Sequence, residues 1–119
     1  METKLYLTLR FRDADAGLQF LKDALGFEEH AVYRSDDGRI VHAELALGDD
    51  IVMCGQGDQA DYGAYLGVED IDAAFASAKA AGATIVREPA DTDYGSREFA
   101  FRDPDGHLWS IGTYRPTRE

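Results

Sequence analysis

Cysteine is nearly missing from this chain: Cys54 is the single one among 119 residues. An internal disulfide is therefore excluded, and a reducing, cytoplasmic setting is expected. Long apolar runs are missing too. Nothing approaches the roughly 18 residues of a membrane span, and the opening METKLYLTLR lacks the apolar core of a signal peptide. Basic residues are few, 12 Lys and Arg against 23 Asp and Glu, for a formal net charge of −11. Repulsion then argues against nucleic acid and anionic membranes as partners. The acidic surface serves solubility and would favour a cationic ligand. What is present is an ordinary soluble composition, 45% hydrophobic, at a length that suits a single domain, residues 1–119, with a real core.

The chain repeats itself. RDADAGLQFLKDALG, residues 12–26, aligns with EDIDAAFASAKAAG, residues 69–82. Asp13, Asp15, Ala16 and Lys22 fall on Asp70, Asp72, Ala73 and Lys79 at an offset of 57, and Gly26 and Gly82 close each segment after a one-residue slip. Each segment reads as a helix with an Asp cap, an acid near its positive end and a terminal glycine able to take a left-handed conformation. Leu18, Leu21 and Leu25 line one face of the first; Ile71, Ala74, Phe75 and Ala78 line one face of the second.

Strands surround each helix. Residues 5–11 alternate, with Leu5, Leu7, Leu9 and Phe11 opposite Tyr6, Thr8 and Arg10. In residues 40–47, Val41, Ala43, Leu45 and Leu47 stand opposite Ile40, His42, Glu44 and Ala46. Gly48-Asp49-Asp50 turns the chain into IVMC, and FEEHAVYR is a weaker strand. The second half repeats the order with AYLGV, helix, ATIVRE, REFAFR and LWSIGTY, and Pro89 to Gly95 forms the one sizeable loop. The pattern is β-α-β-β-β twice, module one at 1–57 and module two at 62–119. In FRDPDGHLWSIGT, Pro104 fixes φ and Gly106 permits a positive φ, so the turn is architectural. Trp109 and Ile111 are expected to face the core, leaving Leu108, Ser110 and Gly112 on the other side.

These halves, their capped helices and the FRDPDGHLWSIGT turn resemble the vicinal oxygen chelate superfamily of glyoxalases, bleomycin-resistance proteins and extradiol dioxygenases. The resemblance implies an α+β fold in which two βαβββ modules form a cupped eight-stranded mixed sheet. It also implies a ligand on the concave side, usually within a homodimer. Enzymes of that family commonly hold a divalent metal with four His and Glu side chains. Carried over, those positions fall on Tyr6, Met53, Gly63 and Ser110, none of them a good ligand for such a metal. No metal and no other cofactor is expected.

The expected concave lining is Tyr6, Thr8, His42, Glu44, Met53, Tyr65, Phe99, Phe101 and Ser110, with Arg97 near the rim. Tyr62 and Tyr94 could close over a ligand. The aromatics could stack on a planar molecule or form a dimer seam. His42 and Glu44 lie two apart on one strand and so share a face. They could bind a metal away from the family positions, act as base and orienting partner, or form a simple hydrogen-bonded pair. His30, beside Glu28 and Glu29, and His107, beside the turn, receive no ligand role, and Cys54 reads as a small core residue. Two functions follow. One is a metal-independent, bleomycin-resistance-like dimer that sequesters a small aromatic or cationic natural product. The alternative is a metal-dependent glyoxalase- or dioxygenase-type enzyme with a non-standard ligand set.

Overall fold

A computed structural model describes residues 3–117. The chain is α+β, with eight strands in mixed parallel and antiparallel pairing and two helices. It forms two compact units. The first comprises Leu7–Tyr62 with residues 116–117; the second comprises Gly63–Arg115 with the described residues up to Tyr6.

The first unit draws on β1 (Lys4–Phe11), α1 (Ala14–Leu25), β2 (Glu28–Arg34), β3 (Ile40–Leu47) and β4 (Asp50–Gln56). β4 pairs in parallel with β1 and antiparallel with β3, which pairs antiparallel with β2. Helix α1 begins because the Asp13 carboxylate accepts the Ala16 N–H at 3.1 Å. It ends at Gly26, left-handed at φ 78°. Ala14 and Leu18 pack on Ile40, Ala43, Leu45, Val52 and Cys54, with Leu9, Phe11 and Leu21 closing the sides. Leu25, expected on that face, is exposed. So is Val41, whose place in the core Ile40 takes. The register explains it: Tyr33 pairs with His42 but Arg34 with Ile40, so Val41 is a bulge that reverses the facing of the residue before it.

The second unit holds β5 (Asp61–Gly67), whose first two residues belong to the first unit, then α2 (Ile71–Ala80), β6 (Thr84–Asp91), β7 (Arg97–Arg102) and β8 (Leu108–Gly112). β8 pairs in parallel with β5 and antiparallel with β7, and β7 with β6. Asp70 caps α2 through the Ala73 N–H at 3.0 Å. Ile71, Ala74, Phe75 and Ala78 meet the strands as their spacing implies. Strand β6 runs through Pro89, so the expected loop is shorter. A register shift between Arg87 and Ala90 accommodates the proline, which cannot donate to a ladder.

Phe99 and Phe101 are on the helix-facing side with Ile111 and Trp109, not on the opposite face where a ligand was expected. The ladder fixes this, because Phe99 pairs with Ile111 and Phe101 with Trp109, and directly paired residues share a face. Phe99 meets the edge of Phe75 at 5.3 Å and stacks with Phe101 at 6.0 Å. Trp109 faces the core, as its alternation implies, and its Nε1–H donates to Asp103 Oδ2 at 3.2 Å. Asp103 also accepts the backbone N–H groups of Asp105 and His107 at 3.0 Å each. Burial raises its pKa, but the bonds from Trp109 and His107 outweigh burial and hold the carboxyl at about 2.

Phe99 has 0% of its surface exposed, so Phe99→Ala leaves a cavity beside the rings of Phe75 and Phe101. Denaturant unfolding is expected to show a loss of about 3–5 kcal/mol. A loss below about 1 kcal/mol would mean that the site collapses freely and the ring is no anchor.

Candidate functional site

On the face of the first unit away from α1, one row of side chains crosses four strands. Thr8 pairs with Met53, Met53 with Glu44, and Glu44 with Ala31. Glu44 lies at the centre with 1% of its surface exposed. His42 Nε2 is 2.8 Å from one of its carboxylate oxygens, and His30 Nε2 is 3.8 Å from the other. The pairing of His42 and Glu44 is thus realised as the alternation of β3 implies. His30 joins it through a second irregularity. Glu29 pairs with Leu45 but Ala31 with Glu44, so His30 is the extra residue that turns its ring toward the carboxylate. Tyr33, paired with His42, stacks on that ring at 5.9 Å and 24°.

An ionised Glu44 carboxylate would only accept, which would make His42 Nε2 the donor and put the lone pair of the neutral ring on Nδ1. About a third of the His42 side chain (31%) is exposed. The solvent-facing groups are therefore imidazoles, with the carboxylate behind them. Glu44, expected in the concave lining, directs its oxygens at His42 and His30.

The corresponding face of the second unit is differently furnished. Tyr65 pairs with Ser110, and Ser110 with Ala100. The Tyr6 and Tyr65 rings approach to 5.9 Å, and both are buried. The Tyr65 O–H donates to the Tyr114 carbonyl at 2.6 Å. Burial and the Glu98 carboxylate raise the Tyr65 pKa. Gly67 has no room for a Cβ because the Tyr114 carbonyl and Arg115 side chain lie there, and Gly112 has none because Tyr65 and Glu98 do. The segment after β8 thus occupies this face, tied down by the Tyr114 N–H to Ser96 Oγ at 3.2 Å. Arg97 is not at its rim. It turns to the helix side, 3.3 Å from Asp72 and 3.4 Å from Asp91. Glu98, passed over in the sequence, takes the inward place and accepts from the Tyr94 O–H at 2.8 Å.

Burial pushes the Cys54 thiol up to about 12, so it stays protonated and belongs to the core as its size suggested. An open cavity of about 600 Å³ is lined by Leu7, Leu9, Phe11 and Tyr62, with Arg10, Ala60 and Asp61 completing it. It is apolar and includes none of the acid–base residues above. Among the described residues no group of three or more His, Cys, Asp or Glu side chains could hold a metal ion. A phenol, a thioether, a bare glycine and a hydroxyl at Tyr6, Met53, Gly63 and Ser110 do not fit a divalent ion either.

A family model described as the Glyoxalase/Bleomycin resistance protein/Dioxygenase superfamily matches residues 5–111. The chain belongs to this superfamily. Within it, an uncharacterized protein of Mycobacterium tuberculosis is 34% identical, over 90% of this chain and 71% of that protein. A probable lactoylglutathione lyase of Vibrio cholerae is 31% identical over 87% of this chain and 85% of its own length. A methylmalonyl-CoA epimerase of Streptomyces coelicolor, solved with 2-nitronate-propionyl-CoA, superimposes with a TM-score of 0.72 at 19% identity, covering 93% of this chain and 96% of that one. At that identity the likeness shows the superfamily fold alone.

Gly112→Ala tests the packing of the second face. Its methyl group would meet the Tyr65 hydroxyl and Glu98, and urea unfolding should register a loss of about 1–3 kcal/mol. An unchanged midpoint would show that neither side chain is held there.

Proposed function

We propose that the protein is a small-molecule enzyme of the acid–base type, in which His42 moves a proton and Glu44 holds its ring. One observation carries the reading: a carboxylate with 1% exposure lies 2.8 Å from an imidazole that remains partly open to solvent. This is the base-and-orienter arrangement. The carboxylate fixes which ring nitrogen carries the proton and stabilises the imidazolium formed when the other nitrogen takes one. His42 Nδ1 would draw a proton from an acidic C–H beside a carbonyl and later return it, or a solvent proton in its place. The likeness to a lactoylglutathione lyase supports an enzyme, though one scaffold of this kind hosts many chemistries. No step is assigned to a metal, since the family positions lack suitable donors.

A second reading is binding without reaction, the metal-independent sequestration of an aromatic molecule. The stacked rings of Tyr33 and His42 favour it, because they present a flat surface at the same place.

Solvent exchange separates the two. Small ketones, hydroxyketones and thioesters are incubated with the protein in D₂O, and loss of C–H signal beside the carbonyl is followed by NMR. The acid–base reading expects at least one to exchange, with the rate falling about 100-fold or more in His42→Ala. Exchange by none, alongside stabilisation by aromatic compounds that Tyr33→Ala abolishes, would leave the binding reading in its place.

A further inference from the structure

We infer that Arg10 is an anion anchor for the His42 site, so that the molecule taken there carries a carboxylate or phosphate group. The inference rests on the acid–base reading for where the reacting atom sits, but its argument is separate. Arg10 follows Thr8 by two on β1 and so faces the same way, opposite Leu9 and Phe11, which pack on the core. Its partner on β4 is Gly55. The antiparallel register of β3 on β4 ends at Ala43 and Cys54, so His42 and Gly55 are the next residues along their strands. A cation, a bare glycine and an imidazole therefore stand on three adjacent strands. The outer Cα atoms are about 10 Å apart by strand spacing, and Gly55 contributes no side chain between them.

A second glycine makes room for the Arg10 side chain itself. The Arg10 stem lies where a side chain at Gly57 would be, with Nε 3.1 Å from the position of the missing Cβ. Nothing but the Val41 carbonyl, at 3.3 Å, comes close to the corresponding position at Gly55. Arg10 is exposed, and among the described residues it has no carboxylate or carbonyl partner. Other arginines are engaged: Arg34 with Asp15 at 2.7 Å, Arg97 with Asp72 at 3.3 Å, and Arg102 with the Gly106 carbonyl at 2.8 Å. In a chain of net charge −11, an exposed guanidinium two strands from His42 on the same face is a local site for an anion. Its planar fork suits the two oxygens of a carboxylate or phosphate. The overall charge had favoured a cationic ligand; the local arrangement reverses that sign.

The test reads binding, not turnover. The His42 ring proton resonance, assigned by its loss in His42→Gln, is followed while the protein is titrated with 2-oxobutanoate, inorganic phosphate, butanone or tetramethylammonium. At least one anion should shift it saturably, and which one does identifies the carboxylate or the phosphate. Arg10→Gln should weaken that anion about tenfold or more, whereas Arg10→Lys retains most of the affinity and butanone is indifferent to both. Arg10 is exposed, and an unchanged melting temperature will show that the variants fold. The inference is overturned if neither anion moves the resonance at tens of millimolar, as weak as an unbuilt surface would be. It is equally overturned if Arg10→Gln binds like the parent, or if tetramethylammonium is preferred. Arg10-dependent anion binding without solvent exchange would retire the acid–base reading and leave this one. Exchange indifferent to Arg10 would do the reverse.

Discussion

A carboxylate with almost no exposed surface must have its charge answered inside the fold or give it up, because an isolated buried ion costs far more than one native contact returns. Glu44 is answered by His42 on its own strand and by His30 on the neighbouring one. The rest of the site follows from that requirement. One bulge in β2 turns His30 inward, and another in β3 ends the regular alternation just before His42. Both break the ladder locally, which a fold retains where a side chain has to be aimed. Tyr33 then braces the ring that Glu44 orients.

The internal repeat makes the specialisation of this face visible. Thr8, Met53 and Glu44 form one row in the first unit; Tyr65, Ser110 and Ala100 form its counterpart in the second. Where one row has a buried acid, the other has a methyl group. The acid of the second unit is Glu98, two residues earlier, bound by a tyrosine rather than by histidine. That face is also filled by residues 114 and 115, for which Gly67 and Gly112 leave room. The same architecture thus supports a partly open polar site in one copy and a packed aromatic one in the other, as expected when activity belongs to grafted side chains and not to the fold.

The repeat, both capped helices, the order of strands and the facing of Trp109 were all legible in the sequence, because each rests on local periodicity or cap chemistry. So was the shared face of His42 and Glu44. What escaped was set by register. A bulge leaves no mark in composition, so neither the inward turn of His30 nor the exchange of Ile40 for Val41 could be read from alternation. REFAFR carried the information, since two aromatics flanking Ala100 mark a core face; favouring a ligand role for Phe99 and Phe101 set it aside. Arg97 was misplaced with them, because its parity is theirs.

The central claim is that an ionised Glu44 accepts from the His42 ring, placing the ring proton on Nε2 and the lone pair on Nδ1. Long-range ¹⁵N–¹H correlation of the His42 ring near neutral pH measures this directly, since the two nitrogens report separately which one carries the proton. The account predicts a proton held on Nε2 in the parent, and in Glu44→Gln a loss of that preference with both neutral tautomers populated. A bare Nε2 with the proton on Nδ1 in the parent would contradict it. Glu44 would then be the protonated partner, and the nitrogen assigned to chemistry would have no lone pair to offer.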